Sequence, residues 1–146
     1  MTPRLSVLIT AFREAETVGQ AIDAFLVQLP EEAEVIVVSP DPETTAVVDR
    51  YAERTPIVRH VADPQRGKPT AVNAGLAAAR GEIVVLSDGD VVVGEDALEP
   101  LLAPFEETRV GAVTGHPVSV NPRETVMGYW SHLLTDAIHQ MRLTRD

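Results

Sequence analysis

Short apolar runs rich in β-branched residues alternate with segments of helical spacing, and this alternation restricts the fold more than any other feature of the chain. The runs cover residues 5–10, 35–38, 57–61 and 83–86. The helical segments between them cover residues 16–29, 43–54 and 69–80, each with apolar side chains spaced three or four positions apart. Such alternation predicts βαβ units, and therefore an α/β fold with a mostly parallel sheet and helices on both faces.

The last third of the chain continues the alternation. Residues 95–107 are predicted to form a fourth helix, residues 111–120 a strand and residues 124–143 a last helix. Gly81 follows the third helical segment and is predicted to cap its carboxyl end. At 146 residues, the chain is predicted to be one domain.

Composition excludes several classes of protein. A net charge of −10 argues against general nucleic-acid binding, which needs clustered Lys and Arg. No apolar run approaches the ~20 residues that span a bilayer, and the first residues lack the pattern of a signal peptide. With no cysteine in the chain, we predict a cytoplasmic protein.

Polar loops follow the four predicted strands. They read TAFREAET, SPDPETT, ADPQRGKPT and SDGD in chain order. Open α/β sheets bind ligands in the crevice beyond the carboxyl ends of their strands. We therefore predict that the four loops face one binding crevice.

The segment SDGD allows two interpretations. Asp88 and Gly89 lie between apolar runs, a strong signal for a two-residue hairpin turn. Alternatively, residues two apart in extended backbone point the same way, so that Asp88 and Asp90 present two carboxylates on one side. Paired carboxylates suit Mg²⁺ or Mn²⁺ that also binds substrate phosphates, and Gly89 would let a diphosphate approach the backbone.

The loop before the third helix favours the metal interpretation. Lys68 precedes Pro69, a residue favoured in the first turn of a helix. The amino end of a helix attracts anions, and Lys68 adds a positive charge there. Taken singly, Lys68 and Asn73 are also compatible with ordinary solvated surface residues. Their predicted place on the same edge as Asp88 and Asp90 favours a site.

These motifs together resemble glycosyltransferase family 2, the inverting nucleotide-sugar transferases of the GT-A fold. The resemblance runs in order through SVLITAFREAETVGQAIDAFLVQ, EVIVVSP, RGKPTAVNAGLAAARGEIVVLSDGDVVV and VGAVTGHPVSV. It implies a Rossmann-like fold, a nucleoside-diphosphate-sugar donor (UDP-sugar first among them), a divalent cation (Mn²⁺ or Mg²⁺) and transfer to an acceptor hydroxyl. It also implies that a longer form of the enzyme could associate with a membrane.

The resemblance also implies roles for single residues. Thr10 and Phe12 would line the nucleobase pocket, and Glu14 matches the acidic residue that ends the first motif. Lys68 would approach the nucleotide and Asn73 would belong to the nucleotide-sugar site. Asp88 would contact the ribose or the metal, and Asp90 would be the principal metal ligand.

The chain departs from the family pattern in two places. An Asp-Asp-Gly-Ser pattern usually follows the second strand, but here the chain has Ser39, Pro40 and Asp41, with Asp41 one position later as the candidate base-binding residue. The family's catalytic base lies farther past the D-x-D than this chain extends, with residues 115–146 as the start of the acceptor-side region. Besides a transferase, this leaves open a donor-binding half without its base or a non-catalytic binding module. A nucleotidyltransferase of related fold is a third alternative, but its Gly-rich basic loop is absent from LITAFREAETVG.

A row of polar residues in the last helix also allows two interpretations. His132, Asp136 and His139 share one face at i, i+4 and i+7. We interpret this row as the solvated face of the helix rather than as a metal or acid–base site. His60 and His116 have no companions in the sequence that indicate a site.

Overall fold

The computed structural model describes residues 5–144. Strands and helices alternate from β1 to β4, and two further helices follow. The order is β1 (Leu5–Thr10), α1 (Val18–Leu26), β2 (Ala33–Ser39), α2 (Pro42–Arg54), β3 (Val58–Ala62), α3 (Lys68–Ala78), β4 (Ile83–Asp88), α4 (Leu98–Leu102), a 3₁₀ turn (Ala103–Glu106) and α5 (Val126–Leu143). The predicted α/β class is confirmed.

The four strands form one parallel sheet in the order β3-β2-β1-β4. Thr10, the last residue of β1, pairs in register with Val38 of β2 and with Asp88 of β4. The carboxyl ends of these three strands are therefore level. Loops that leave them begin side by side, as the crevice prediction requires.

Helix α3 packs on the sheet through small residues. Gly75 lies so close to the Leu8 side chain that an added Cβ would overlap it, and Ala71 belongs to the same core cluster as Leu8, Ile36 and Val38. Val7 and Ile9 alternate with Leu8 along β1 and are equally buried, so both faces of the central strand are covered. The alanine-rich sequence of α3 explains this close approach.

A buried carboxylate joins the amino ends of the strands, opposite the crevice. Glu34 of β2 accepts hydrogen bonds from Ser6 Oγ at 2.7 Å and from the Arg80 backbone N–H at 2.8 Å. Its other oxygen forms an ion pair with Arg59 of β3 at 3.0 Å. Although burial alone would raise the pKa of Glu34, these donors outweigh it and hold the pKa below its usual value.

Gly81 has a different role from the predicted helix cap. Helix α3 ends at Ala78, and its carboxyl end is closed by the Ala79 N–H bonding to Gly75 O at 2.9 Å. Gly81 instead donates its N–H to Ser6 Oγ at 2.8 Å, and a Cβ there would lie 2.5 Å from the Ser6 backbone nitrogen. The capping prediction was wrong, because the helix is closed before the chain reaches Gly81. The glycine is required instead by its close contact with β1.

The chain separates into two compact units, one ending at Leu98 and the other beginning at Glu99. Within the second unit, α5 begins at Val126, where the Thr125 hydroxyl caps the Gly128 N–H at 3.0 Å. The prediction of a single domain over residues 1–146 stays a prediction. Among residues 5–144, no helix combines the length and the hydropathy that crossing a bilayer requires.

Two predictions for the last third of the chain were wrong. Residues 111–120 form no strand and are mostly exposed; Pro117 within them lacks the N–H that a ladder needs. The predicted helix over residues 95–107 is reduced to α4 and a 3₁₀ turn. Pro100 and Pro104 each remove a helical donor from this short segment.

Candidate functional site

The four loops predicted to share a crevice line one cavity of about 820 Å³. This volume lies in the range typical of small-molecule sites. All the lining residues belong to the first unit. They are Thr10, Ala11, Phe12, Arg13, Glu14, Val38, Pro40, Asp41, Pro42, Asp63, Gln65, Gly67, Lys68, Ala71, Asp88 and Asp90.

Asp88 is bonded to two other residues that line this cavity. It is the last residue of β4, and its Oδ1 accepts hydrogen bonds from Thr10 Oγ1 at 3.1 Å and from Lys68 Nζ at 2.5 Å. The Lys68 side chain is 62% exposed, so its charge also faces the cavity. The ion pair holds the Lys68 ammonium beside the D-x-D segment, where its positive charge would stabilise an anionic ligand.

Lys68 is placed by an unusual helix start. Gly67 precedes α3 with a φ of 92°, a conformation that side chains rarely adopt, and Lys68 and Pro69 form the first turn. Pro69 has no N–H, and the Thr70 and Ala71 N–H groups both bond to Gly67 O, at 3.0 and 3.2 Å, so the attraction for an anion here comes from the helix dipole and the Lys68 ammonium. The helix end and the lysine together favour binding of an anion.

The D-x-D segment forms a tight turn after β4. The Gly89 N–H bonds to Thr10 O at 3.0 Å, and the Val91 N–H bonds to Asp88 O at 3.1 Å. Within the part of the chain that the structure describes, strand β4 pairs only with β1, in parallel, and residues 91–93 are not in a strand. The hairpin interpretation was therefore wrong, and so was the extended backbone assumed for residues 88–90, because Gly89 and Asp90 lie in a turn. The exposed Asp90 carboxylate nevertheless lines the same cavity as Asp88.

Glu14 lies beneath this turn. Its Oε2 is buried without a hydrogen-bond partner, and a Cβ added at Gly89 would overlap it. Burial raises the pKa of the Glu14 carboxyl, and the negative charges of Asp90 and Asp88 raise it further. An unpartnered carboxylate oxygen close to the charges of Asp88 and Asp90 is a place where a cation would relieve the repulsion.

The loop after β1 presents an aromatic ring to the cavity. Phe12 is 62% exposed, and the Arg13 guanidinium lies 5.2 Å from the centre of its ring. The guanidinium lies over the ring in a cation–π contact. An exposed ring beside a cavity offers a stacking surface for a planar ligand group.

The structure brings together most of the predicted site residues. Seven of them line the cavity: Thr10, Phe12, Glu14, Asp41, Lys68, Asp88 and Asp90. Asn73 lies exposed on α3 outside the lining residues, so its part in nucleotide-sugar binding stays a prediction. Within residues 5–144, no three His, Cys, Asp or Glu side chains converge as a protein-only metal site.

Arg13, Asp63 and Gln65 are among the cavity residues that were not singled out from the sequence. Arg13 and Gln65 are non-glycine residues with positive φ, at 57° and 58°, and the Gln65 N–H donates to Asp63 Oδ1 at 2.7 Å. Only the position of these residues in loops after strands could have indicated them.

The histidines of the second unit lie outside the residues that line the cavity. His139 stacks on His116 with ring centres 3.7 Å apart, and His132 Nε2 lies 2.9 Å from Asn121 O. His116 therefore has a companion that the sequence did not indicate. In the first unit, His60 Nε2 lies 3.1 Å from Ser39 Oγ.

Comparison with known proteins agrees with this geometry. The model of the family "Glycosyl transferase family 2" matches residues 6–144. This chain belongs to glycosyl transferase family 2. The resemblance predicted from its motifs is confirmed.

Similar family members are longer proteins. Poly-beta-1,6-N-acetyl-D-glucosamine synthase of Staphylococcus epidermidis is 28% identical over 127 residues, which cover 85% of this chain and 31% of the synthase. The chain thus spans about a third of the length of this relative.

Solved structures show the same fold. Glucosyl-3-phosphoglycerate synthase from Mycobacterium tuberculosis, in complex with UDP, has a TM-score of 0.58 and 25% identity, over 70% of this chain and 40% of the enzyme. A second structure of that synthase, with Mn²⁺, UDP and glucosyl-3-phosphoglycerate, has a TM-score of 0.58 at 24% identity, over 80% of this chain and 42% of the enzyme. TarS of S. aureus has a TM-score of 0.61 at 19% identity, over 81% of this chain and 24% of TarS.

Proposed function

We propose that this family 2 chain binds a nucleoside-diphosphate sugar, UDP-sugar first among them, as the donor of an inverting sugar transfer to an acceptor hydroxyl. The observation that carries the proposal is the single cavity that combines an exposed aromatic ring, a lysine at a helix start and the D-x-D turn. The ring suits the nucleobase, the lysine suits the diphosphate and the D-x-D turn suits a divalent cation. A similar mycobacterial synthase was solved with UDP, which supports the choice of uridine.

The residues of the turn suit a divalent cation. Mg²⁺ and Mn²⁺ bind proteins through one or two carboxylates and complete their coordination with substrate phosphates and water. Asp90 and Asp88 provide that number of carboxylates, and the orphaned Glu14 oxygen lies under the same turn. We propose Asp90 as the principal ligand, Asp88 as the second, and a cation that arrives with the diphosphate.

The chemistry follows from these positions. Phe12 and Thr10 would hold the nucleoside, while Lys68 and the first turn of α3 would contact the diphosphate. When bound, the cation would supply positive charge to the departing diphosphate. A general base on the acceptor side would remove the proton of the acceptor hydroxyl, whose oxygen attacks the anomeric carbon as the bond to the diphosphate breaks.

A donor-binding half without its base is the second candidate. It is favoured by the confinement of the cavity to the first unit. General-base catalysis contributes roughly 10²–10⁴-fold, so such a chain would bind donor and transfer slowly. Comparing labelled-sugar transfer by this chain and by a C-terminally extended form would separate the two candidates. Equal rates would favour the complete transferase.

We predict that UDP binding depends on a divalent cation through Asp90. Asp90→Asn keeps the shape and removes the charge, so the Kd for UDP with Mn²⁺ should rise at least tenfold, about 1.4 kcal/mol. Isothermal titration with Mn²⁺ and with EDTA measures both affinities. Asp96→Asn is the matched control, because Asp96 is exposed, lies outside the cavity and has a φ of 54° that Asn tolerates. Equal UDP affinity in wild type and Asp90→Asn would contradict the proposed cation site.

A further inference from the structure

Arg13 has a backbone conformation that arginine rarely adopts. Its φ of 57° places it in the left-handed region, which favours glycine and, to a lesser degree, asparagine and aspartate. Such a conformation persists only where the surrounding structure holds it. The residue lies between Phe12 and Glu14, both of which line the cavity.

Asp41 provides the contact that holds Arg13. One carboxylate oxygen, Oδ2, accepts the Arg13 backbone N–H at 2.8 Å. The other, Oδ1, accepts the Thr44 N–H at 3.0 Å and so caps helix α2. Both oxygens of the candidate base-binding carboxylate are thus bonded to backbone donors.

The next residue of the loop is fixed in the same way. The Glu14 N–H donates to Thr44 Oγ1 at 3.0 Å, and Thr44 is fully buried. On the other side, the Ala11 N–H bonds to Val38 O at 2.9 Å. Phe12 therefore lies between backbone positions that β2 and the first turn of α2 fix, while its own ring stays exposed.

We propose that Asp41 is a positioning residue: it holds the left-handed turn at Arg13 that presents Phe12 as the stacking surface for the nucleobase, and it does not read the base itself. This inference rests on the proposed function, because it presumes a nucleotide in the cavity. Base contact through a ring face suits any planar base. A positioning role for Asp41 also accounts for the departure from the family pattern at Pro40 and Asp41, because the carboxylate one position later shapes the loop.

A double-mutant cycle tests this role. Glycine adopts positive φ without strain, so Arg13→Gly makes the turn much less dependent on Asp41. In the Arg13 background, Asp41→Asn should weaken UDP binding by about tenfold while leaving the affinity for inorganic pyrophosphate within about twofold, both with Mg²⁺. In the Arg13→Gly background, the same substitution should weaken UDP binding by less than about twofold.

Asp63→Asn is the matched control. Asp63 also lines the cavity and also accepts an N–H from a left-handed residue, Gln65. The change in charge is the same, but its effect on UDP affinity should not depend on the residue at position 13. If Asp41→Asn fails to fold, Asp41→Ser replaces it, because serine is a good helix cap that lacks the second oxygen for Arg13.

The outcomes separate the two levels of the proposal. An equal loss of UDP affinity from Asp41→Asn in both backgrounds would mean that Asp41 reads the base directly, which overturns the inference and leaves the proposed function intact. Failure of the wild-type chain to bind UDP or pyrophosphate with Mg²⁺ would overturn the proposed function and the inference with it.

Discussion

At the scale of single residues, the packing around Gly89 explains why the middle position of the D-x-D turn is a glycine. A Cβ there would overlap Glu14 Oε2 and lie 2.7 Å from Ala11 Cβ. Either the turn or Glu14 would have to move, and Asp88 and Asp90 flank the turn. The glycine is thus required by packing beneath the turn, in addition to any approach of a ligand from above.

Gly89→Ala should therefore disturb both stability and cation binding. We expect a loss of about 1–3 kcal/mol in the free energy of unfolding, typical of an overpacked site, and weaker UDP binding with Mn²⁺. Urea unfolding and titration calorimetry measure the two effects. Gly94→Ala is the control, since its nearest neighbouring atom lies 4.0 Å away. Unchanged stability and affinity in Gly89→Ala would show that Glu14 does not confine the turn.

At the scale of elements, the Glu34 cluster joins the starts of β1, β2 and β3, and its charge makes that junction sensitive to pH. A carboxyl whose pKa is lower in the folded protein stabilises the fold above its unfolded pKa, near 4.5, and loses that contribution as the pH falls through the folded value. Lowering the pH from neutrality to about 3 should thus erode the contribution of Glu34.

Glu34→Gln should remove this contribution at neutral pH. We expect a loss of about 1.5–3 kcal/mol, the usual range for a hydrogen bond to a charged group, that shrinks as the pH falls below about 4.5. Thermal or urea unfolding of both proteins across pH 3 to 7 measures the difference. Glu31→Gln is the control, because Glu31 is exposed. A stability difference independent of pH would mean that the Glu34 charge does not contribute.

The elements also show how far the sequence alone could lead. Strand β1 was predicted residue for residue, and the shared crevice followed from the rule for parallel sheets, because both depend on local pattern and topology. The prediction of a strand over residues 111–120 was wrong, since a strand needs a neighbouring strand to pair with, and local sequence pattern does not show whether one is present. The bonds of Asp41 to Arg13 and the orphaned Glu14 oxygen depend on contacts between distant loops, so sequence spacing could not indicate them.

At the scale of the whole molecule, the division into two units has a consequence for binding. Every residue that lines the cavity lies between Thr10 and Asp90, within the unit that ends at Leu98. The last part of that unit is held by Gln28, whose side chain accepts the Ala97 and Leu98 N–H groups at 3.0 and 3.2 Å and donates to Gly94 O at 3.0 Å. The cavity is therefore built from contacts that the first unit contains.

A chain that ends after Leu102, and so keeps α4 whole, should bind UDP with Mn²⁺ almost as the longer chain does. The Kd should agree within about threefold, less than about 0.7 kcal/mol, because no lining residue is removed. Far-ultraviolet circular dichroism and a cooperative thermal transition establish that the shorter chain folds, and titration calorimetry compares the affinities. Asp90→Asn in the shorter chain should weaken binding as much as in the longer one. A shorter chain that folds cooperatively but has lost UDP binding would place part of the donor site in residues 103–146.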